Sequence, residues 1–416
     1  MQNPLLHCTK SQSIVSHCVR LTPCPIIRYA LRAKLRKRRL FFDPGVSSVM
    51  PLFQLKTNCR SAGRRATPQF VLFIALPLVS LPSACTAQKE TTTFRYSALR
   101  LSEVPRIAEN VGMKINAKDE VCFWKEMEDH TLRAAVWRNG TVIALKLPPG
   151  YRNALARDIS ARGVVAGWAV STQNPVNSQA KTRASFFSGD TAVEIGSLGG
   201  RDSQAFGING KNQIVGSSEL SNRSRHAFLY NAGKMIDLGA LPKALSSVAY
   251  AVNEAGTVVG GCDMTPGVER GCIWKDSKLI DIGTLPEGKS SMARAINDKD
   301  QIVGYAYAGD DIHAFLYDKG KMTDLGTLGN EPAVANGINN LCEIVGSSKA
   351  DRKGLHAFVW RNGKMLDLNK LIPADTGLLL REAYSINDAG KIVCLGSDKI
   401  GHFYCVLLSP VNQDRR

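Results

Sequence analysis

The chain has 416 residues, with 53 basic and 36 acidic side chains and a formal net charge of +17. Such a charge suggests a nucleic-acid partner, but its position argues against one. Residues 1–87 hold thirteen basic residues against the one acid Asp43, which is +12 of the total and leaves +5 for the rest. Because the remaining chain is only mildly basic, the sequence predicts no nucleic-acid partner.

The N-terminal region predicts export. Residues 1–49 are basic and without periodicity, and they would not belong to the native protein if translation starts at Met50. Within 50–87, the apolar stretch Phe70–Leu81 follows basic residues and precedes small ones, the order typical of a secretory signal. Its twelve residues are too few for a membrane-spanning helix, which needs about 20. A buried core helix is the alternative interpretation.

Cys85 is a candidate for lipidation. Small residues that end in a cysteine are typical of bacterial lipoprotein signals, and a lipid there would anchor the protein to a membrane surface. Pro82 and the position of Leu81 depart from that pattern. The alternative is ordinary cleavage after Ala87. We therefore expect membrane contact only through this possible anchor.

One pattern is repeated seven times between Ile115 and Leu408. Each copy contains an anchoring polar residue, and the anchors are spaced 44, 49, 44, 44, 42 and 48 residues apart. The anchors are Asn116, Ser160, Asn209, Asn253, Asn297, Asn339 and Asn387. A fixed period of this length indicates a repeat architecture in which neighbouring units bury each other's faces.

Each repeat contains four short apolar runs, which we name a to d. In the third repeat they are represented by Ile208–Asn209, Ile214–Gly216, His226–Tyr230 and Met235–Leu238. Asn and Gly separate a from b and c from d, which predicts tight turns. Four antiparallel strands in about 44 residues match the length of a propeller blade.

The two ends of the repeat array are complementary. The last repeat stops after its c run, and upstream of the first repeat Phe94–Leu101 has the pattern of a d strand without a partner. Pairing the two would cover exposed sheet edges. The sequence thus predicts an all-β fold over 88–410, a seven-bladed β-propeller closed by an N-terminal strand, with a short tail at 411–416. An open β-solenoid is the alternative.

The repeats carry a recognisable motif. The run His-Ala-Phe-Leu/Val-Tyr/Trp, followed by Lys-Met-x-Asp-Leu, resembles the bacterial extracellular repeat family named for its His-Ala-Phe (HAF) tripeptide. The resemblance spans roughly 110–410 and is clearest in the third, fifth and sixth repeats. It implies export and a repeated β architecture, and it implies no particular activity.

Polar residues recur at equivalent places in the repeats. Histidines open the c run at His226, His313, His356 and His402, and aspartates lie on the d run at Asp237, Asp281, Asp324 and Asp367. Metal ligands must converge within a few ångströms, so we predict that the histidines orient adjacent turns and that the aspartates bond to backbone or face solvent. The sequence contains no catalytic, phosphate-binding or metal motif. We predict no catalytic residue, cofactor or metal.

Cysteines flank two of the b–c hairpins. Cys262 and Cys272 are predicted to form a cross-strand disulfide in an oxidising compartment. Cys394 and Cys405 flank a second hairpin, but Cys405 aligns one position further along and is expected on the other sheet face. The alternative for all of them is a buried free thiol.

The b–c and d–a connections vary from repeat to repeat and share one rim of a propeller. Variable loops on a repeated scaffold commonly carry binding. The candidate contact residues on or next to these loops are Trp168, Arg223, Arg225, Asp310, Asp311, Arg352 and Lys399.

The sequence favours a monomeric, exported, non-enzymatic binding module of the bacterial envelope or exterior, with a glycan or protein as its ligand. The alternative is a propeller-type hydrolase or lyase acting at the central channel. That alternative requires acid, base or metal-ligating residues of one repeat to break the pattern and face the axis. The sequence shows no convincing set of this kind.

Overall fold

The computed structural model describes residues 95–105, 112–172, 180–351 and 354–411, and the predicted segments 1–49 and 50–87 lie outside them. The described fold is all-β, with two short 3-10 helices at Leu368–Lys370 and Ala374–Thr376. The strands are β1 (Arg95–Val104), β2 (Lys114–Ile115), β3 (Val121–Glu126), β4 (Leu132–Arg138), β5 (Thr141–Ala144), β6 (Asn153–Ile159), β7 (Val165–Val170), β8 (Thr182–Ser188), β9 (Thr191–Glu194), β10 (Gly199–Ile208), β11 (Ile214–Leu220), β12 (Arg225–Asn231), β13 (Lys234–Gly239), β14 (Ser246–Val252), β15 (Val258–Thr265), β16 (Val268–Lys275), β17 (Lys278–Asp281), β18 (Ser291–Ile296), β19 (Ile302–Ala308), β20 (Asp311–Asp318), β21 (Lys321–Gly326), β22 (Asn330–Ile338), β23 (Ile344–Asp351), β24 (Gly354–Arg361), β25 (Lys364–Asp367), β26 (Leu379–Ile386), β27 (Ile392–Ser397) and β28 (Phe403–Val411).

The first six repeats each form a four-stranded antiparallel unit in the order a-b-c-d, beginning at β2, β6, β10, β14, β18 and β22. One parallel bridge between Arg225 and Ser246 joins the third and fourth units into a single hydrogen-bonded sheet. In the last repeat, β26, β27 and β28 supply runs a to c. β1 pairs antiparallel with β28, with Arg95 opposite Val411 and Val104 opposite Phe403. β1 therefore occupies the position of a d strand.

The anchoring residue builds the turn between runs a and b. The Oδ1 atom of Asn209 accepts hydrogen bonds from the backbone N–H groups of Lys211 at 3.1 Å and Gln213 at 3.0 Å. The side chain thus accepts hydrogen bonds from backbone N–H groups that have no backbone acceptor in the turn. The third residue after the anchor has a left-handed backbone, and glycine meets this need in three repeats, at Gly163 (φ 82°), Gly256 (φ 89°) and Gly390 (φ 73°).

The glycine that ends the b run lets strand a come unusually close. A Cβ atom added to Gly216 would lie 1.9 Å from the carbonyl oxygen of Gln204, and one added to Gly304 would lie 1.9 Å from that of Met292. Strand a bulges next to these carbonyls. Any larger residue at the glycine would therefore displace the bulged strand.

The core lies between consecutive sheets, and it explains the His-Ala-Phe motif. Successive strand residues point to opposite faces, so the alanine and the phenylalanine of each motif pack against different neighbours. Phe315 is fully buried and packs with Val259 of the preceding repeat, whereas Ala314 packs with Ala335 of the following one. Burying one such phenylalanine stabilises the fold by about 1.5–3 kcal/mol.

The same packing joins the last repeat to the first. Val393 and Leu407 of the last repeat form one cluster with Val121 and Phe123 of the first, and all four are buried. Face-to-face sheets whose a–b turns surround a common cavity, described below, form a β-propeller architecture.

Candidate functional site

The anchoring residues line a shallow cavity at one end of the molecule, which we call the basin. Its volume is about 210 Å³, and every repeat contributes its anchor and the two residues beside it. The Nδ2 atom of Asn209 donates to the carbonyl oxygen of Asn253 at 2.9 Å, and Asn253 donates to Asn297 in the same way at 3.1 Å. Buried amides that bridge neighbouring repeats in this manner are structural groups.

The rim of the basin is acidic on one side. The residue after the anchor is Glu254, Asp298, Asn340 or Asp388 in the last four repeats, and it is small in the first three. These side chains form a second ladder, in which Asp298 Oδ1 accepts from the backbone N–H of Glu254 at 3.0 Å and Asp388 Oδ1 from that of Asn340 at 2.8 Å. Exposed basic residues follow four of the anchors by two positions, so the turns at this end carry charges of both signs: Lys118, Arg162, Lys211 and Lys299.

A second ring of side chains lies deeper along the same strands. In six described units the pairing of strands a and b skips one residue, which is the third residue before the anchor. A bulge of this kind re-aims a side chain and is common next to functional sites. The bulged residues are Arg157, Phe206, Tyr250, Arg294, Asn336 and Tyr384. We call the region where these side chains meet the axial channel.

These side chains contact one another across repeat boundaries. The guanidinium carbon of Arg157 lies 5.2 Å from the centre of the Phe206 ring and 5.6 Å from that of Trp168. The rings of Phe206 and Tyr250 are 5.5 Å apart. Arg294 donates from Nη1 to Asn336 Oδ1 at 3.3 Å. The bulges thus bring cationic, aromatic and amide groups of different repeats into one wall.

Lys114 adds a third cation to the channel. It lies on β2 of the first repeat, and its Nζ reaches the carbonyl oxygen of Asn336 of the sixth repeat at 3.4 Å. Burial lowers the pKa of Lys114, partly offset by the negative charge of Asp158. Burial likewise lowers the pKa of Arg157. Both residues nevertheless keep partial solvent exposure. These cations of the axial channel are therefore largely, but not completely, removed from water.

Asp158 is the acid next to these cations, and the backbone holds it. Its Oδ1 accepts from the N–H of Ile159 at 2.9 Å and its Oδ2 from the N–H of Ile208 in the next repeat at 2.9 Å. Burial raises its pKa, and Lys114 opposes that shift. A carboxylate with both oxygens bonded to backbone is fixed in position and joins two repeats.

Three histidines of the repeated motif, His226, His313 and His356, pair with aspartates of the d run, whereas His402 lies near Asp398 of its own b–c turn. His313 Nδ1 lies 2.7 Å from Asp324 Oδ2, and Asp324 Oδ1 accepts from the N–H of Gly326 at 2.7 Å. The same arrangement joins His356 to Asp367 at 2.9 Å. Each of these three histidines therefore holds the aspartate that shapes the end of strand d.

The residues predicted on the variable rim do not form one cluster. Arg223 and Arg225 belong to the β11–β12 hairpin, Asp310 and Asp311 to the β19–β20 hairpin, and Lys399 to the β27–β28 turn. These hairpins are in the third, fifth and last repeats. Arg352 lies outside the described residues, as does Cys85.

Trp168 is two residues from the end of the strand that leads into the b–c loop of the second repeat. It lies inside β7, and its ring meets Phe206 edge-on with 5.8 Å between ring centres. It is therefore part of the wall of the axial channel.

Cys262 and Cys272 are free thiols in this structure, with their Sγ atoms 3.4 Å apart. The disulfide between them stays a prediction. Cys394 and Cys405 pack in two different core clusters.

Sequence reasoning missed the residues of the axial channel. The sequence did contain a signal for these residues. The residues on either side of this position in run a are similar from repeat to repeat, whereas the third residue before the anchor varies among Arg, Phe, Tyr and Asn. The glycine of run b, which admits the bulge, was the second signal.

The described residues contain no cluster of three or more His, Cys, Asp or Glu side chains placed to hold a metal ion. They also include no helix that is both long and apolar enough to cross a bilayer.

One protein family is similar to part of the chain. A family described as "Protein of unknown function (DUF3466)" matches residues 245–402, less than half of the chain. No curated protein matches the chain.

Three solved structures are similar in fold. The β-propeller domain of the trilobed protease from Pyrococcus furiosus is 8% identical, with a TM-score of 0.46 over 77% of this chain and 99% of that one. A puromycin-hydrolyzing peptidase of Mycobacterium tuberculosis is 11% identical, with a TM-score of 0.47 over 78% of this chain and 55% of that one. A putative TolB from Agrobacterium tumefaciens is 12% identical, with a TM-score of 0.40 over 56% and 89%. These similarities assign no activity to the chain.

Proposed function

We propose that this chain is an exported, non-enzymatic binding module of the bacterial envelope or exterior, and that its ligand, a glycan or a protein, binds at the axial channel. The observation that carries the proposal is the convergence of Arg157, Phe206, Tyr250 and Arg294 from four repeats. Cationic and aromatic side chains that meet in this way offer charged and stacking contacts to a ligand.

The scaffold for this site is a seven-bladed propeller closed by β1. Three observations support closure: the pairing of β1 with β28, the shared core of the last and first repeats, and a hydrogen bond from Asn387 to Asn116. Closure covers the outer edge of β28 with β1 and holds the channel residues of different repeats at fixed distances.

Binding is favoured over hydrolysis by the state of the channel carboxylates. A general acid or base needs a carboxyl group that can reach substrate and exchange a proton. Both oxygens of Asp158 accept backbone hydrogen bonds. Glu269 accepts a 2.6 Å hydrogen bond from the hydroxyl group of Tyr305, whose ring is buried. Both carboxylates therefore have structural roles.

Export, the HAF-type family and the monomeric state rest on the sequence. The basic, apolar and small segments of 50–87 are in the order of a secretory signal, and Cys85 is the candidate lipid site. N-terminal sequencing of the exported form tests the cleavage site, and labelling with a radioactive fatty acid tests the anchor. Recovery of the protein only from the cytosol, with its leader intact, would contradict export.

The binding experiment compares two faces of the molecule. Wild-type protein is applied to glycan and peptide arrays beside a variant of the channel (Arg294→Gln) and one of the rim (Arg223→Gln combined with Lys399→Gln). We expect the channel variant to lose the wild-type signal and the rim variant to keep it. Loss in the rim variant alone would move the site to the loops. Turnover in a hydrolase screen that disappears in Asp158→Asn would overturn the non-enzymatic interpretation.

A further inference from the structure

A pocket lies between the second and third repeats, and we call it the junction pocket. Its volume is about 430 Å³, a size typical of small-molecule sites in proteins. The second repeat contributes Val164, Phe186 and Ser188, and the third contributes Tyr230 together with residues of its a–b and c–d turns. Of the described residues that line the pocket, none belongs to the axial channel. The junction pocket is therefore a separate feature of the molecule.

At other junctions between repeats, a long polar side chain occupies the equivalent place. It comes from the fourth residue after the anchor or from the end of run c, and it reaches the third residue after the next anchor. Lys275 Nζ, for example, reaches Asp300 Oδ2 at 2.8 Å. Where the third residue is a glycine, a side chain lies over it, and Glu120 Oε2 is 2.9 Å from the place of a Cβ atom added to Gly163. The other pairs of this kind are Lys391 with Asp119, Gln213 with Gly256 and Glu343 with Gly390.

The second repeat lacks such a side chain, and the junction pocket is the result. Its residues at the two equivalent positions are Val164 and Ser188, which are too short to cross the junction. The third residue after the next anchor is Asn212. Its side chain and that of Lys211 are exposed, and neither makes a hydrogen bond or ion pair within the described residues. A space that this scaffold fills elsewhere is thus open, and polar groups surround it.

Apolar side chains form one wall of the junction pocket. Ile214 is buried, and Val164, Phe186 and Tyr230 pack in the same core cluster while they keep partial exposure. The two aromatic rings come from neighbouring repeats and line the same pocket. A flat ring of similar size would bury apolar surface against both of them.

The polar residues of the junction pocket favour a negatively charged group. Lys211 supplies a cation, and Asn212 and Asn231 supply amide donors. None of the described residues that line the pocket is acidic. Asp190, on the neighbouring c–d turn, pairs instead with Lys146 of the first repeat at 3.0 Å. A carboxylate in the pocket can therefore accept charge-assisted hydrogen bonds without meeting a like charge among the lining residues.

We propose that the junction pocket binds a small aromatic carboxylate, with its ring against Phe186 and Tyr230 and its carboxylate on the ammonium group of Lys211. Such a ligand takes the place of the polar side chain that crosses the junctions described above. This inference goes beyond the binding function proposed for the axial channel and does not depend on it.

Calorimetry on the full-length protein compares two probes of similar shape, 2-naphthoate and the neutral 2-naphthylmethanol. We expect 2-naphthoate to bind about tenfold more tightly, the effect of about one charge-assisted hydrogen bond. Lys211→Gln should reduce this preference to less than about threefold, because it removes the cation. The matched control is Lys299→Gln, at the equivalent exposed position of the fifth repeat, and it should leave the preference unchanged.

Two further variants test the pocket itself. Val164→Gln combined with Ser188→Asp copies the fifth repeat, where Gln301 Nε2 donates to Asp318 Oδ2 at 3.1 Å. We expect these side chains to fill the pocket and to weaken both probes by at least about tenfold, whereas charge repulsion alone would spare the neutral one. Phe186→Leu introduces the residue type of the third and fifth repeats. It keeps the test available if the filled variant fails to fold, and it should weaken 2-naphthoate binding by about threefold to tenfold. Circular dichroism verifies the fold of each variant.

The outcomes separate this inference from the proposed function. Equal affinity for the two probes, or a preference in Lys211→Gln as large as in wild type, would overturn the carboxylate assignment. Absence of 2-naphthoate binding, or binding that both pocket variants leave unchanged, would overturn the site. Binding that Arg294→Gln abolishes and the pocket variants keep would assign the probe to the axial channel, so this inference would fall and the proposed function would stand.

Discussion

Asn387 donates a hydrogen bond from its Nδ2 atom to the backbone carbonyl oxygen of Asn116, 271 residues earlier in the chain, at 3.1 Å. The bond has the same form as those between consecutive anchors, for example the 3.0 Å bond from Asn297 to Asn339. The side chain that shapes a turn within one repeat thus also joins that repeat to the next. Local turn chemistry and long-range assembly depend on the same amide group.

Replacing Asn387 by alanine tests this dual role. The variant loses the bond to Asn116, a 2.9 Å bond to Asp119 and a 3.0 Å bond accepted from the N–H of Lys391. Because each buried hydrogen bond contributes about 1 kcal/mol, we expect the free energy of unfolding to fall by about 2–4 kcal/mol in urea denaturation. Lys399→Ala, an exposed control, should change it by less than about 0.5 kcal/mol. Equal stability of the two variants would contradict the role of the anchor.

Ser160 is the one anchor that is not an asparagine, and it permits the opposite experiment. Its Oγ accepts from the N–H groups of Arg162 and Val164, as the asparagine Oδ1 atoms do, but a serine has no amide with which to reach Asn209. We expect Ser160→Asn to supply that bond and to raise the free energy of unfolding by about 1 kcal/mol. Ser160→Gln, whose longer side chain does not fit the turn, is the matched control. A thermal midpoint for Ser160→Asn below that of wild type would count against the interpretation.

The sequence predicted the elements of this fold well because each depends on local chemistry. The all-β class is confirmed. The asparagine that ends run a shapes the a–b turn through its own side chain, and the glycine of run b admits the close approach of strand a. The predicted strand Phe94–Leu101 corresponds to β1, which extends three residues further, to Val104.

The axial channel was harder to predict because a bulge changes the direction of a side chain without changing the pattern of apolar residues. In the sequence, Arg157 and Arg294 stand where an alternating strand would place a surface residue. The β-bulge between strands a and b instead turns both side chains inward. The sequence placed Trp168 next to a b–c loop, but its ring contact with Phe206 of the next repeat depends on tertiary packing. Contacts between repeats, such as Lys114 with Asn336, depend on tertiary packing and carry no local signal.

Lys114 predicts how stability depends on pH. Burial lowers its pKa from the ordinary 10.5; Asp158 and Cys122 oppose this shift, and Arg157 and Arg294 add to it. Between the lowered value and 10.5 the unfolded chain binds more protons than the folded one, so the free energy of unfolding contributed by this group rises with pH. The contribution is least favourable below the folded pKa, where the lysine is charged in both states.

The measurement compares wild type with Lys114→Met from neutral pH to about pH 10. Urea midpoints of both proteins are recorded across this range, and other titrating groups contribute alike to the two curves. We expect wild type to gain stability relative to Lys114→Met as the pH rises. A difference that stays constant, or that declines, would show that the lysine is not desolvated in the channel.

The His356–Asp367 pair offers a test of the repeated motif, since it is less exposed than its counterparts in other repeats. The pair links strand c to strand d at 2.9 Å, and Asp367 Oδ1 accepts from the N–H of Asn369 at 2.9 Å. We expect Asp367→Ala to destabilise the fold by more than His356→Ala, because it removes both bonds, with a difference of about 1 kcal/mol. The double variant should be less destabilised than the sum of the two, by about 0.5–1 kcal/mol, in a double-mutant cycle. Strict additivity of the two changes would mean that the histidine does not act through the aspartate, and that it contributes to the fold by packing alone.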